Sequence, residues 1–130
     1  MPPMLMKHDV DPAKLILDKV GNLSSFTIFG NRLLLGVYER PTVTKSGIHL
    51  ADVTRKEDAY QGKACLVILK GPSAFVSDDA YDFKGQNVEI GDWVAISVSD
   101  GRSIVVNGQL CRIVEDQHIR LKIPAPDIVF

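Results

Sequence analysis

Residues 103–114 read Ser103-Ile104-Val105-Val106-Asn107-Gly108-Gln109-Leu110-Cys111-Arg112-Ile113-Val114. Apolar, partly β-branched runs flank Asn107-Gly108, and that dipeptide tolerates the positive φ required at both central positions of a type I′ turn. The stretch therefore predicts a two-residue β-hairpin. Downstream, His118 to Ile123 alternates, with Ile119, Leu121 and Ile123 expected inward and His118, Arg120 and Lys122 outward. Upstream lie Val88-Glu89-Ile90, a Gly91-Asp92 turn, and Trp93 to Val98 with Val94, Ile96 and Val98 on one side. Cys65-Leu66-Val67-Ile68-Leu69 is apolar on both faces and suits a strand enclosed in a core. Arg32 to Glu39, past the Gly30-Asn31 turn signal, puts Leu33, Leu35 and Val37 on one face, and Ser25-Phe26-Thr27-Ile28-Phe29 reads as a further strand. Short strands at close spacing without alternating helices predict an all-β barrel or sandwich and disfavour a parallel α/β fold.

One helix is expected, over roughly residues 12 to 20. Asp11 can cap it, Pro12 suits the first helical position, Ala13, Ile16, Leu17 and Val20 recur at helical spacing, and Gly21 can end it. Two stretches break the strand pattern. Arg40 to Gly62 is long and polar, and Gly71 to Gln86 holds Asp78, Asp79 and Asp82 among isolated aromatics. A loop of about 20 residues inside a compact domain is generally functional or disordered, so the first stretch is where function is sought.

The chain has 130 residues, 15 Lys+Arg against 16 Asp+Glu, a formal charge of −1 and 45% hydrophobic content. Such a domain can bury a sufficient core without disulfides or metal. Its scattered basic residues lack the clustered excess that neutralises phosphates, which argues against a nucleic-acid partner. Apolar runs fall far short of a bilayer span, and the start is too brief and proline-broken for a secretory signal, so a soluble, unexported protein is expected. Cys65 and Cys111 each sit in an apolar run without CxxC spacing. Buried reduced thiols are favoured there over a disulfide or a ligand pair.

No catalytic constellation stands out. His8, His49 and His118 fall in a tail, a loop and an outward strand face, without an evident nucleophile partner. Asp78, Asp79 and Asp82 lack the alternating ligands and closing glutamate of a calcium loop and read as a solvated acidic turn. Within Thr42 to Asp52, however, Ile48 and Leu50 follow Gly47 and are surrounded by polar residues. Two such side chains either tuck back onto their own core or serve as a linear anchor that orders on docking into another protein.

From about Asn31 to Leu121 the chain resembles the GroES-type co-chaperonins, the ring-shaped lids of GroEL-type chaperonins. Asn31-Arg32-Leu33-Leu34-Leu35 resembles the opening core strand, and Ser46-Gly47-Ile48-His49-Leu50 the Gly-plus-aliphatic motif of the mobile loop. Gly62-Lys63-Ala64-Cys65-Leu66-Val67 is similar to the strand entered by a glycine after that loop. Val88-Glu89-Ile90-Gly91-Asp92-Trp93-Val94 resembles the Val-x-x-Gly-Asp-x-Val segment, and Val105 to Asp116 the terminal hairpin and acidic turn. The departures are His49, where an aliphatic residue is usual, a segment 71–86 without the glycine-rich look of the roof hairpin, and extra residues at both ends. Such divergence would suit a virus-encoded or otherwise specialised relative.

The resemblance implies a small GroES-like β-barrel over 31–123, with a mobile loop at 41–61, a roof segment at 71–86, an N-terminal extension with a short helix at 1–30 and a tail at 124–130. It implies a cytoplasmic, non-enzymatic ring, a heptamer, that caps a GroEL-type chaperonin and acts on unfolded substrates only indirectly. No cofactor, metal or membrane is implied, since the partner binds the ATP. Gly47, Ile48, His49 and Leu50 would contact the chaperonin. Subunits would pair through Arg32 to Val37 and His118 to Ile123, with Leu33, Leu35, Ile119 and Leu121 at the interface. Two rivals remain. A structural or adaptor subunit, for example of a virus, would keep the barrel without chaperonin binding. An enzyme is disfavoured, because the medium-chain alcohol dehydrogenases that open with this barrel need a dinucleotide domain and zinc ligands.

Overall fold

The computed structural model describes residues 10–39, 64–97 and 99–128. Helix α1 spans Pro12–Val20 and is followed by β1 (Arg32–Val37), β2 (Ala64–Lys70), β3 (Trp93–Ala95), β4 (Arg102–Val106), β5 (Gln109–Glu115) and β6 (Leu121–Ile123). The strands form one antiparallel sheet in the order β4-β5-β1-β2-β3-β6. The all-β class and the single short helix thus hold.

The expected hairpin is β4–β5. Val106 pairs with Gln109 across Asn107 and Gly108, whose φ values of 50° and 82° are those a type I′ turn demands. The expected helix is also present, with Asp11 accepting from the Ala13 N–H at 3.1 Å and the Gly21 N–H donating to the Leu17 carbonyl at 3.1 Å.

The central strands β1 and β2 are buried on both faces. Leu33, Leu35 and Val37 of β1, Cys65 and Val67 of β2, and Val94, Ile96 and Val114 form an inner cluster. The alternate residues Leu34, Leu66, Ile68, Trp93, Val106, Cys111 and Ile123 form an outer cluster, and α1 lays Ile16 and Val20 on it. The helix reaches the sheet because β1 carries Gly36 there: a Cβ at that position would stand 2.5 Å from Ile16 Cγ2 and 2.9 Å from Ile68 Cδ1. The Asn107 side-chain amide then donates to the Val20 carbonyl at 2.6 Å, fastening the hairpin turn to the end of the helix.

Several strand expectations are corrected. Ser25 to Phe29 and Val88 to Ile90 are not strands, and β3 stops at Ala95. His118 to Ile123 does not form one continuous strand. Asp116–His118 is a 3₁₀ turn in which His118 Nδ1 accepts from the Glu115 N–H at 3.0 Å, so pairing begins only at Leu121. Leu121, expected inward, is exposed, whereas Ile119 packs against the inner cluster and Ile123 against the outer.

Candidate functional site

The residues expected to contact a partner, Gly47, Ile48, His49 and Leu50, lie in 40–63, outside the described residues, as does the expected loop 41–61. What the fold defines is the root from which that segment departs. Val37 and Cys65 are register partners at the end of the β1–β2 ladder, and the Tyr38 N–H continues it to the Ala64 carbonyl at 3.1 Å. The two ends of the segment therefore leave the sheet side by side.

Three side chains brace this root. The buried Gln109 amide donates to the Val37 carbonyl at 3.0 Å and to the Leu110 carbonyl at 2.8 Å. The Tyr38 ring meets Trp93 edge to face, with centroids 5.9 Å apart. Sequence reasoning missed Tyr38, Trp93 and Gln109 as a group, since they come from three separate strand ends. The only available signal was that two large amphipathic aromatics and a glutamine stood in otherwise aliphatic strands.

The residues expected at a subunit interface divide. Leu33 and Leu35 are fully buried in the chain's own inner cluster, and β1 is hydrogen-bonded to β2 on one edge and β5 on the other. Both edges of β1 are therefore paired within the chain. Ile119 is half-buried, and Leu121 is 53% exposed on β6, which ends the sheet. Near the chain start, Phe26 and Phe29 are 48% and 71% exposed in a segment that follows a turn and has no strand partner among the described residues.

The segment 71–86 is a compact turn system. Asp78 Oδ1 accepts from the N–H groups of Ala80 and Tyr81, and Asp82 Oδ1 accepts from Ser77 Oγ and the Lys84 N–H. The carboxylates thus serve as turn caps. Phe75 packs edge to face on Phe83 at 5.4 Å, and Tyr81 lies 4.6 Å from Phe83. Beside them a cavity of about 430 Å³ is lined by Phe75, Tyr81, Phe83, Ile119, Arg120 and Lys122. Phe75 has φ 62°, and its N–H is held by the buried Asp116 carboxylate, which also accepts from the Asn31 amide.

Nothing among these groups is set for nucleophilic chemistry. Burial pushes the free Cys65 thiol up to about 12 and the free Cys111 thiol up to about 11, so both stay protonated near neutral pH. No helix among the described residues is long and apolar enough to cross a membrane. The family model described as Cpn10, chaperonin 10 Kd subunit, matches residues 25–123. No curated protein matches the chain at a significant level.

Proposed function

Because the chain belongs to the chaperonin 10 Kd subunit family, we propose that it is a co-chaperonin: a ring that caps a GroEL-type chaperonin in a nucleotide-dependent way and encloses unfolded substrate. Members of that family are not enzymes, and the ATP is hydrolysed by the partner. The observation that carries the reading is the family match running on both sides of residues 40–63, the segment holding Gly47, Ile48, His49 and Leu50. In this reading Ile48 and Leu50 enter apolar grooves of the chaperonin, with His49 between them. The braced root at Tyr38 and Ala64 supports it, since an anchor presented from a rigid base reaches its partner with less chain to order.

Burying one aliphatic side chain gains roughly 1.5–3 kcal/mol, and ordering the loop costs a similar amount, so one loop alone binds weakly. A sevenfold ring changes the outcome, because once one loop docks the others act at high effective concentration. Release follows the same arithmetic: a partner rearrangement that removes about 1 kcal/mol per loop removes about 7 kcal/mol in all, enough to reverse the equilibrium.

For ring closure, segment 25–29 and the edge of β6 left unpaired among the described residues are the candidate pieces. A heterologous contact between them, repeated, closes a ring, and it covers Phe26, Phe29 and Leu121. The proposed place of work is the cytoplasm.

The test is capture by a GroEL-type chaperonin with ATP or ADP present, comparing wild type with Ile48→Ser. Nucleotide-dependent capture that the substitution abolishes is the expected result. Absence of capture by both a general and a cognate chaperonin overturns the proposal and favours a structural or adaptor subunit.

A further inference from the structure

One group of charges, of which Asp100 and Arg112 are buried, is used neither by the apolar core nor by the loop root. Asp100 is 8% exposed, and its Oδ2 accepts from the Ser97 N–H at 2.9 Å and from Arg120 Nη1. Arg112, 5% exposed on β5, donates from Nη2 to the Asp100 carbonyl, while its Nε is buried without a partner. Arg120 Nη1 also reaches the His118 carbonyl at 3.3 Å, and the Arg120 N–H donates to the Ala95 carbonyl at 3.4 Å.

The placement of this group in the sheet gives it meaning. Asp100 stands just ahead of β4 and Arg120 immediately ahead of β6, the two strands at opposite ends of the strand order. No ladder joins β4 to β6 among the described residues, so the Asp100–Arg120 pair bridges the ends of the sheet. β6 is three residues long and, among the described residues, paired on one side only, and its approach, residues 118–120, is held by the Arg120 N–H on the Ala95 carbonyl together with the contacts of the Arg120 side chain.

Asp100 is buried while the Arg120 side chain is more than half exposed, and such a pair adds little net stability, because desolvation of the buried partner and solvent screening of the exposed one offset much of the attraction; its better-attested use is to specify a geometry. The geometry specified here is that of the residues next to Arg120, namely the exposed Leu121 and the free edge of β6. We propose that Asp100 is a positioning residue for assembly: through Arg120 it fixes the approach to β6 and so presents that edge to a second copy of this chain. The inference rests on the ring reading above.

The experiment is the mass of the full-length protein over a wide concentration range for wild type, Arg120→Gln, Arg120→Lys and Asp100→Asn, beside the thermal midpoint of each dilute, unassembled chain. The Arg120 side chain is more than half exposed, so its replacement removes the contact with little loss of core. Arg120→Gln raises the concentration at half-assembly about tenfold or more while leaving the midpoint of the dilute chain near wild type. Arg120→Lys restores most of the assembly. Adding Asp100→Asn to Arg120→Gln costs assembly nothing further, since both disable one contact. If Asp100→Asn does not fold, the Gln and Lys variants decide the matter. Wild-type assembly by Arg120→Gln, or a loss only as large as its fall in midpoint predicts, overturns the inference and leaves the ring reading standing. A wild-type chain that stays monomeric throughout overturns both.

Discussion

Gly36 is the point of closest approach between helix and sheet. Its missing side chain is the space that Ile16 and Ile68 occupy, so Gly36→Ala must push α1 outward or force a rotamer change. Overpacking of this kind costs about 1–3 kcal/mol, read as a lower denaturant midpoint with an unchanged slope. Gly71→Ala is expected to cost more, because its Cβ would stand 2.2 Å from the Gly30 carbonyl oxygen, which is backbone and has no rotamer to change. The titratable residues act in opposite pH directions. Burial holds Cys65 and Cys111 at about 12 and about 11 against an ordinary 9.0. Their folded values are raised, so their contribution is whole below pH 9 and is lost as pH rises, because the unfolded chain ionises first. Denaturant midpoints that fall between pH 8.5 and 10.5 in wild type, and fall less in a Cys65→Ala variant, are the expected result. For Asp100, burial pushes the carboxyl up, but hydrogen bonds from Arg120 and the Ser97 N–H, with the charges of Arg120 and His118, outweigh it and leave it lowered. That contribution is present above the ordinary value of 3.8 and is lost as pH falls through the folded one.

At the level of elements, α1 covers the outer side of the sheet where Leu34, Ile68 and Cys111 lie, while β4 and β6 stay largely exposed. Ile16→Ala leaves a gap between helix and outer cluster and is expected to cost about 2–4 kcal/mol in a denaturant titration. Asp11→Ala removes only the cap and costs about 1 kcal/mol. These two features were legible from local chemistry, as was the Asn107-Gly108 hairpin, because an N-cap, a proline and a positive-φ dipeptide act within a few residues. The helical spacing of Ala13, Ile16 and Val20 likewise named the buried face of the helix, whereas Leu17, read onto the same face, is exposed. Ser25 to Phe29 misled because β-propensity describes a side chain's fit to a sheet and not the presence of a partner strand. The phase of Leu121 was hidden because the packing of Ile119 and Ile123 on different clusters is a tertiary event. For the same reason, the three braces of the loop root and the Asp100–Arg120 pair could not be read in advance: each joins residues far apart in the chain.

For the whole molecule, the free surfaces worth testing are the chain-start segment and the β6 edge. Phe29→Asp places a charge on the most exposed aromatic of segment 25–29, and Leu121→Lys does so on β6. Each is expected to lower the mass in solution toward that of a single chain while leaving the circular dichroism spectrum intact. A peptide spanning residues 41–61 tests the multivalency argument, because it should compete with the full-length ring for a GroEL-type chaperonin only at concentrations at least a hundredfold higher, roughly. Finally, consider the paired backbone groups at Tyr38 and Ala64. Residues 40–63 leave and rejoin the sheet at one place, so their length enters the scaffold's stability through the entropy of closing a loop. Doubling such a loop costs about 0.6 kcal/mol, whatever its sequence. Partner choice can therefore diverge independently of the scaffold, and residues 40–63 can be exchanged as a cassette between related barrels.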